Sequence, residues 1–194
     1  MKGNTDLEPD EERYLIPAIP FTGSAVNEYE EQNISDARLW ALDPRVFPRI
    51  DLFDEPFVRE LHKRMFGKTW TWAGVYRTTN KNLGVPFHQI RERLGLLLAN
   101  GKYWVDHAVY PADELAIRFH HEMVVIHPFS NGNGRHARLF ADVIVRRLGR
   151  QEFRWGGGSD LRSEESEARD KYIAALKDAD GGGDFEKLMA FARS

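Results

Sequence analysis

Residues 127–138 read HPFSNGNGRHAR, and the interpretation of the remaining sequence starts from this stretch. Apolar residues precede it at helical spacing: Ala116, Phe119, Met123 and Ile126. This spacing predicts a helix over 113–126, which must end there because His127 precedes a proline and is pushed out of the α region. A second helix is predicted over 134–148 by the apolar periodicity after the turn.

The turn between these two helices, residues 131–134, is suited to binding an anion. Glycine and asparagine tolerate positive φ, so successive N–H groups can converge on one concavity at the N-terminus of the second helix. Arg135 and Arg138 share a face of that helix, where a cation opposes the helix dipole by about 0.3–1 kcal/mol. Arginine can grip phosphate oxygens with two donors. The pattern therefore favours a di- or triphosphate ligand.

His127 lies on the other side of this turn. A neutral imidazole in that place could take a proton from an attacking hydroxyl group. Taken singly, a histidine at a helix end, an Asn-Gly turn and two nearby arginines are each typical of ordinary surface or packing positions. Because all three occur within a dozen residues, we interpret them together as a site for phosphate chemistry.

The remaining sequence predicts a mainly α-helical chain with three parts. Residues 1–22 are acidic and broken by prolines, which indicates an extended arm. Residues 23–45 contain an N-terminal helix, with Ser24 as a plausible cap. Its expected inner face is Val26, Tyr29, Asn33 and Ala37. Residues 46–194 form the third part, with further helices predicted over 55–66, 89–100, 164–179 and 185–192.

Residues 68–88, by contrast, are rich in Trp, Thr, Tyr and Val and are punctuated by Asn, Gly and Pro. That composition predicts short strands or a hairpin around a turn.

Composition excludes several classes of protein. The 194 residues include no cysteine, which rules out disulfide frameworks, thiolate metal sites and cysteine nucleophiles. A net charge of −3 gives no electrostatic case for nucleic-acid binding. Neither a secretory signal nor a run of about 20 apolar residues is present. We therefore expect a cytoplasmic protein without nucleic-acid or membrane partners.

The segment HPFSNGNGRHAR is similar to the signature of the Fic family, His-x-Phe-x-(Asp/Glu)-Gly-Asn-(Gly/Lys)-Arg-x-x-Arg, and departs from it at one position. WAGVYR (72–77) resembles the strand that leads into that family's flap, and residues 169–191 resemble its C-terminal helices. LIPAIPFTGSAVNEYEEQNI (15–34) resembles the subgroup called mobile mystery protein B. The resemblance implies a Fic-type helical domain with a small β-hairpin flap.

What the resemblance implies for function is transfer of AMP from ATP, with Mg²⁺ or Mn²⁺, to a Tyr, Thr or Ser hydroxyl of a target protein. His127 would accept the hydroxyl proton, and Phe129 would anchor the loop. The phosphates would be cradled by the backbones of Gly132, Asn133 and Gly134 and held by Arg135 and Arg138. The flap, 78–86, would dock the target segment, with its contact residues among Thr78, Thr79, Asn80 and Gly84.

One motif position leaves alternatives open. Asn131 replaces the family's acidic residue, which holds Mg²⁺; an amide oxygen can still ligate Mg²⁺ but brings no charge. Phosphate transfer, transfer of another nucleotide and a non-catalytic nucleotide-binding module remain alternatives. The intact GNGR segment favours AMP transfer.

Many members of the family carry an inhibitory helix with the motif Ser/Thr-x-x-x-Glu-Gly/Asn. Residues 24–28 match its first five positions, but Tyr29 follows them. Glu28, or Glu31 as a second choice, is therefore expected to pair with Arg138, the alternative being an ordinary charged helix. A toxin-like role with an antitoxin or other regulatory partner, and homo-oligomerisation, are further expectations from the resemblance.

Overall fold

The computed structural model describes residues 9–157, 161, 166–180 and 183–194, most of which lie in seven α-helices. These are α1 (Gly23–Ala41), α2 (Glu55–Phe66), α3 (Ile90–Asp106), α4 (Ala112–Ile126), α5 (Asn133–Arg147), α6 (Glu167–Ala179) and α7 (Glu186–Arg193). Short 3-10 helices occupy Pro9–Tyr14, Phe47–Arg49 and Phe87–Gln89. The predicted mainly α-helical architecture is confirmed.

The centre of the fold is the pair α4 and α5, with α3 packed beside α4 and α2 against α5. Phe119 of α4 stacks on Phe140 of α5 with ring centroids 5.0 Å apart, and Phe57 of α2 lies 5.2 Å from Phe140. All three rings are buried, and each contributes about 1.5–3 kcal/mol by leaving water. The loop between α4 and α5 is therefore fixed at both of its ends by the best-packed part of the molecule.

Local sequence explains most of the helix boundaries. Helix α2 has Pro56 in its first turn and is followed by Gly67, as the sequence predicts. Helix α1 is capped by Thr22 rather than Ser24, since the Thr22 hydroxyl accepts the Ala25 amide at 3.3 Å. Helix α3 continues past the predicted end at residue 100 and includes Gly101, where the Phe53 ring lies 2.5 Å from the place of a Cβ and leaves no room for a side chain.

The prediction of a β-hairpin flap within residues 68–88 is wrong. Within the described residues, β-type pairing is confined to two isolated bridges, Leu15–Trp70 and Tyr76–Phe129. The reason is the buried Arg77, whose guanidinium donates to the carbonyls of Thr79 and Val85. Those carbonyls are acceptors that a hairpin ladder would need. Residues 78–86, called the flap segment below, are an irregular loop organised around one side chain.

The predicted N-terminal arm is described from Pro9 onward, and residues 1–8 lie outside the described part. After the 3-10 helix, the chain runs beside residues 69–71: the Ile16 amide donates to Thr69 O at 2.8 Å and the Thr71 amide to Tyr14 O at 3.0 Å. These bonds attach the arm to the segment that leads towards the flap. Among the described helices, none combines the length and the apolar character needed to cross a bilayer.

Candidate active site

His127 directly follows the last residue of α4 and has a left-handed backbone, with φ 52° and ψ 61°. This conformation agrees with the prediction that Pro128 removes residue 127 from the α region. A non-glycine residue held there carries strain of about 1–3 kcal/mol. The strain is sustained because the His127 amide still bonds to Met123 O at 3.1 Å and the following residues pack in the core.

The imidazole of His127 is neutral at physiological pH. Burial, and secondarily the charge of Arg77, lower the pKa of His127 to about 4, while a hydrogen bond to the Val124 backbone opposes them. The side chain is only 7% exposed. The ring is thus a covered proton acceptor rather than a solvated cation at neutral pH.

Arg77 joins the end of α4 to the flap segment, and the sequence alone did not single it out. It is 4% exposed, and its Nε donates to His127 O at 2.7 Å while Nη2 reaches Ile126 O at 3.4 Å. Its amide donates to Pro128 O at 3.0 Å. Together with the flap carbonyls, these bonds fix the backbone that carries the imidazole.

The N-terminus of α5 has the open amides that an anion site needs. Gly132 precedes the helix with φ 76°, and a Cβ on it would lie 2.5 Å from the Phe66 ring. The first bond of the helix is from the His136 amide to Gly132 O, at 2.9 Å. The amides of Asn133, Gly134 and Arg135 come before it and carry the positive end of the helix dipole.

Two asparagines of the motif shape the loop with their side chains. The Asn133 amide group accepts the Phe129 N–H and donates to Phe129 O, both at 2.9 Å. Phe129 itself is completely buried, where the resemblance expected an anchor. Asn131 Oδ1 accepts the Gly132 N–H at 2.6 Å, so that amide is already engaged.

The donor set in the described residues does not fit a resident metal ion. They contain no group of three or more His, Cys, Asp or Glu side chains able to hold one. Asn131 supplies a neutral oxygen that also serves the Gly132 amide.

The two motif arginines point to different surroundings. Arg138 stays near the start of α5, with Nη1 3.6 Å from the place of a Cβ on Gly134, and its guanidinium lies 5.3 Å from the Tyr172 ring centroid. Arg135 turns instead towards α1, where it pairs with Glu30 and lies 4.8 Å from the Phe66 ring centroid. In this structure the two guanidinium groups do not form one clamp.

Glu30 is a residue that sequence reasoning missed. It is 2% exposed, pairs with Arg135 and accepts Trp70 Nε1–H at 2.5 Å, whereas Glu28 and Glu31 are exposed. The contact differs from the expected one in both partners. The reason is helix register: the buried face of α1 is Val26, Glu30, Asn33 and Ala37, so Glu30 occupies the place assigned to Tyr29. A search of the sequence for a purely apolar helix face could not identify Glu30, because its side chain is charged.

The predicted target-docking residues lie together in the flap segment. Thr78, Thr79, Asn80 and Gly84 are all exposed. Asn80 Oδ1 accepts the Phe87 amide at 3.0 Å, which closes the segment at its base. Gly84, with φ 94°, lies against the candidate base, since a Cβ on it would be 2.5 Å from His127 Cβ.

Comparison with known proteins agrees with this geometry. Residues 52–145 match the family model described as Fic/DOC family. A protein adenylyltransferase fic-1 of Caenorhabditis briggsae is 29% identical over 158 residues, covering 77% of this chain and 30% of the relative. The chain thus spans about a third of the length of that curated relative.

Solved structures share the fold. Fic-1 (residues 134–508, E274G) from C. elegans has a TM-score of 0.68 at 25% identity, covering 90% of this chain and 50% of the other. BepC from Bartonella tribocorum with bound AMPPNP also has a TM-score of 0.68, at 17% identity, covering 96% of this chain and 97% of the other. In this chain His127, the glycine-rich turn and Arg138 lie within or beside the central pair α4 and α5. Residues 52–145 are thus similar to the Fic/DOC family in sequence, and the chain shares the fold of solved Fic structures.

Proposed function

We propose that this domain transfers AMP from ATP to a hydroxyl side chain of a target protein. The observation that carries the proposal is a neutral, covered His127 at the end of α4, next to the unpaired amides that begin α5. Named adenylyltransferases among the relatives, and AMPPNP in the BepC structure, support the same chemistry.

In this reaction His127 accepts the proton of the target hydroxyl as the oxygen attacks the α-phosphorus. The new bond joins that oxygen to phosphorus, and the bond from the α-phosphorus to the bridging oxygen of the β-phosphate breaks. Pyrophosphate leaves with the bond electrons. The α5 amides of Gly134 and Arg135, with Arg138, stabilise the charge on the phosphates, which is the main work of a phosphoryl-type site.

ATP is the substrate and would bring Mg²⁺ or Mn²⁺ on its phosphates. Asn131 lies at the turn where it could contribute an amide oxygen, without the charge of a carboxylate. Its bond to the Gly132 amide limits that contribution. A divalent cation bound there would neutralise charge on the phosphates, whereas proton transfer and positioning of the phosphates depend on residues of the chain.

The flap segment is the proposed docking place for the target, through Thr78, Thr79, Asn80 and Gly84. The exposure of all four, and the position of Gly84 against His127, support this role, and an extended target segment can bond to exposed backbone there. A regulatory or antitoxin partner, homo-oligomerisation and membership of the mobile mystery protein B subgroup belong to the same proposal and stay predictions from the sequence resemblance.

We further propose that α1 restrains the site through Glu30. The ion pair draws Arg135 towards α1 and holds its charge away from a triphosphate. This replaces the expected pairing of Glu28 or Glu31 with Arg138 by a contact that the described side chains make. Release of Arg135 would let both motif arginines face the nucleotide.

The test incubates the protein with ATP labelled at the α- or the γ-phosphate, a cell lysate and Mg²⁺, with His127→Ala as control. We expect label from the α-position only, reduced by about 10²–10⁴-fold in His127→Ala. Label from the γ-position would show phosphate transfer instead. ATP binding without any labelling, also in Asn131→Asp, would show a non-catalytic nucleotide-binding module.

A further inference from the structure

His62 of α2 lies beneath the nucleotide loop, in direct contact with it. The ring is completely buried and stacks on Phe129, with centroids 3.7 Å apart and planes inclined by 19°. The Phe66 ring lies 4.7 Å away on the same helix. By packing alone, His62 would be one more aromatic ring of the core.

The hydrogen bonds of His62 distinguish it from a packing residue. The Gly74 N–H donates to Nδ1 at 3.0 Å, and Nε2 lies 3.1 Å from the carbonyl oxygen of Asn131. A ring nitrogen that accepts carries no proton, so in the neutral ring the proton is on Nε2 and is donated to Asn131 O. Burial first, and then the electrostatic interaction with His136, hold the pKa of His62 well below its usual value, so the neutral form persists.

The carbonyl that His62 holds belongs to the peptide unit between Asn131 and Gly132. Because a peptide unit is planar, fixing the Asn131 carbonyl also fixes the Gly132 N–H, which the Asn131 side chain accepts from the other side. Gly132 then turns the chain, with φ 76°, into the first residues of α5. The direction of the α5 amides is thus set partly by the His62 ring.

The other bond of His62 reaches the segment that leads to the flap. Gly74 is also held through its carbonyl, which accepts Arg59 Nε–H at 2.9 Å. Side chains of α2 therefore bond to both the N–H and the carbonyl of this residue. Two residues later, Tyr76 pairs with Phe129, and Arg77 follows. One ring therefore connects the base of the flap segment to the turn that receives the phosphates.

We propose that His62 is a positioning residue for nucleotide transfer. Its Nε2–H fixes the orientation of the Asn131–Gly132 peptide plane. Its Nδ1 holds Gly74, and with it the start of the flap segment, in a fixed position relative to that peptide. This role rests on the proposed function, but the geometry it describes exists in the protein without nucleotide. The competing explanation is that His62 matters only as a flat ring stacked on Phe129.

Three variants separate the two explanations. His62→Gln places an amide N–H near the position of Nε2 and keeps a donor for Asn131 O. His62→Asn is too short to reach it but can still accept from Gly74. His62→Phe keeps the flat ring and lacks both bonds. Gln and Asn lose the ring stacking equally, so they form the matched pair.

For AMP transfer we expect kcat to fall about tenfold in His62→Asn and in His62→Phe, as for the loss of one net hydrogen bond that aligns the reacting groups. His62→Gln should stay within about threefold of the wild type, and the KM for ATP should change less than kcat in all three. Equal activity of the Gln and Asn variants, or full activity of the Phe variant, overturns the positioning role.

A second readout does not need turnover. In amide NMR spectra of the full chain without nucleotide, His62→Asn should shift the Gly132 resonance strongly, whereas His62→Gln should leave it near the wild-type position. If the wild type fails to transfer AMP, the proposed function fails, and this comparison still decides the role of the ring. A Gly132 resonance that moves equally in both variants would refute it.

Discussion

At the scale of single residues, the chemistry depends on how one histidine is held. His127 has a left-handed backbone, and its carbonyl accepts from the buried Arg77 guanidinium at 2.7 Å. The bond to the Val124 backbone orients the imidazole. These contacts hold the ring beside the phosphate turn. Burial first, and then the Arg77 charge, keep it uncharged, so it is ready to accept a proton without first losing one.

The titration of His127 tests this directly. Burial and the Arg77 charge lower its pKa to about 4, so the imidazole should remain neutral as the pH falls from 8 to about 5. We expect its ring resonances, identified by their loss in His127→Ala, to shift with a midpoint near pH 4. A midpoint at or above the ordinary value of about 6.5 would show that the ring is solvated and that its environment is different.

At the scale of elements, α1 is joined to the active site by polar contacts on its buried face. Glu30 links Trp70 and Arg135, and Asn33 on the same face donates to Thr69 Oγ1 at 3.2 Å. The arm before α1 bonds to residues 69 and 71. Movement of α1 would therefore change the position of a motif arginine.

A charge-neutralising substitution measures this link. Glu30→Gln keeps the shape of the side chain and an acceptor for Trp70 but removes the charge that holds Arg135. We expect tighter ATP binding in calorimetry and faster self-modification, by roughly 5- to 10-fold, as for about 1–1.4 kcal/mol of released pairing.

Glu28→Gln and Glu31→Gln are the matched controls, since both residues are exposed on the same helix. They should behave like the wild type if Glu30 carries the restraint. An effect of either control, with none from Glu30→Gln, would return the inhibitory role to the residues that the sequence motif indicates.

The elements differ in how far the sequence predicts them. Helix α2 is predicted to its terminal residues because proline and glycine mark both ends. Helix α3 is predicted too short because Gly101 resembles a helix end in the sequence. In the structure this glycine packs against the ring of Phe53, which lies in a distant segment of the chain. The flap segment is misread as a hairpin because Arg77 takes its carbonyls, and local composition carries no sign of that contact.

The candidate site shows the same division. HPFSNGNGRHAR identifies the histidine and the amides because these residues are neighbours in sequence. Glu30, His62 and Arg77 approach them only after folding, from separate elements. A short-range pattern could not reveal them.

At the scale of the whole molecule, the core contains four buried, neutral imidazoles. His62, His120, His127 and His136 are all buried, and burial is the first cause of the lowered pKa of each. Below pH 6.5 the unfolded chain binds protons at these four positions and the folded chain does not. Stability is therefore lost as the pH falls from about 6.5 towards 4, by up to about 1.4 kcal/mol per pH unit for each group.

One buried carboxyl group, that of Asp142, has the opposite effect on the pH dependence of stability. Burial raises the pKa of Asp142 from 3.8 to about 6, so below pH 6 the folded chain binds a proton that the unfolded chain does not. This gain offsets about one of the four histidines, and the net effect remains destabilising. We expect the Tm at constant ionic strength to fall by about 10 °C or more between pH 7 and pH 5, with recovery when the pH is returned to 7. An unchanged or higher Tm at pH 5 would mean that these histidines are accessible to solvent.

The most direct test of the site is a crystal structure of the protein with a non-hydrolysable ATP analogue. The informative quantity is the position of the α-phosphorus relative to the His127 ring and to the Gly134 and Arg135 amides. We expect the α-phosphate beside the imidazole, with the phosphates on the α5 N-terminus. A nucleotide bound elsewhere, or bound with the γ-phosphate at the imidazole, would contradict AMP transfer at this site.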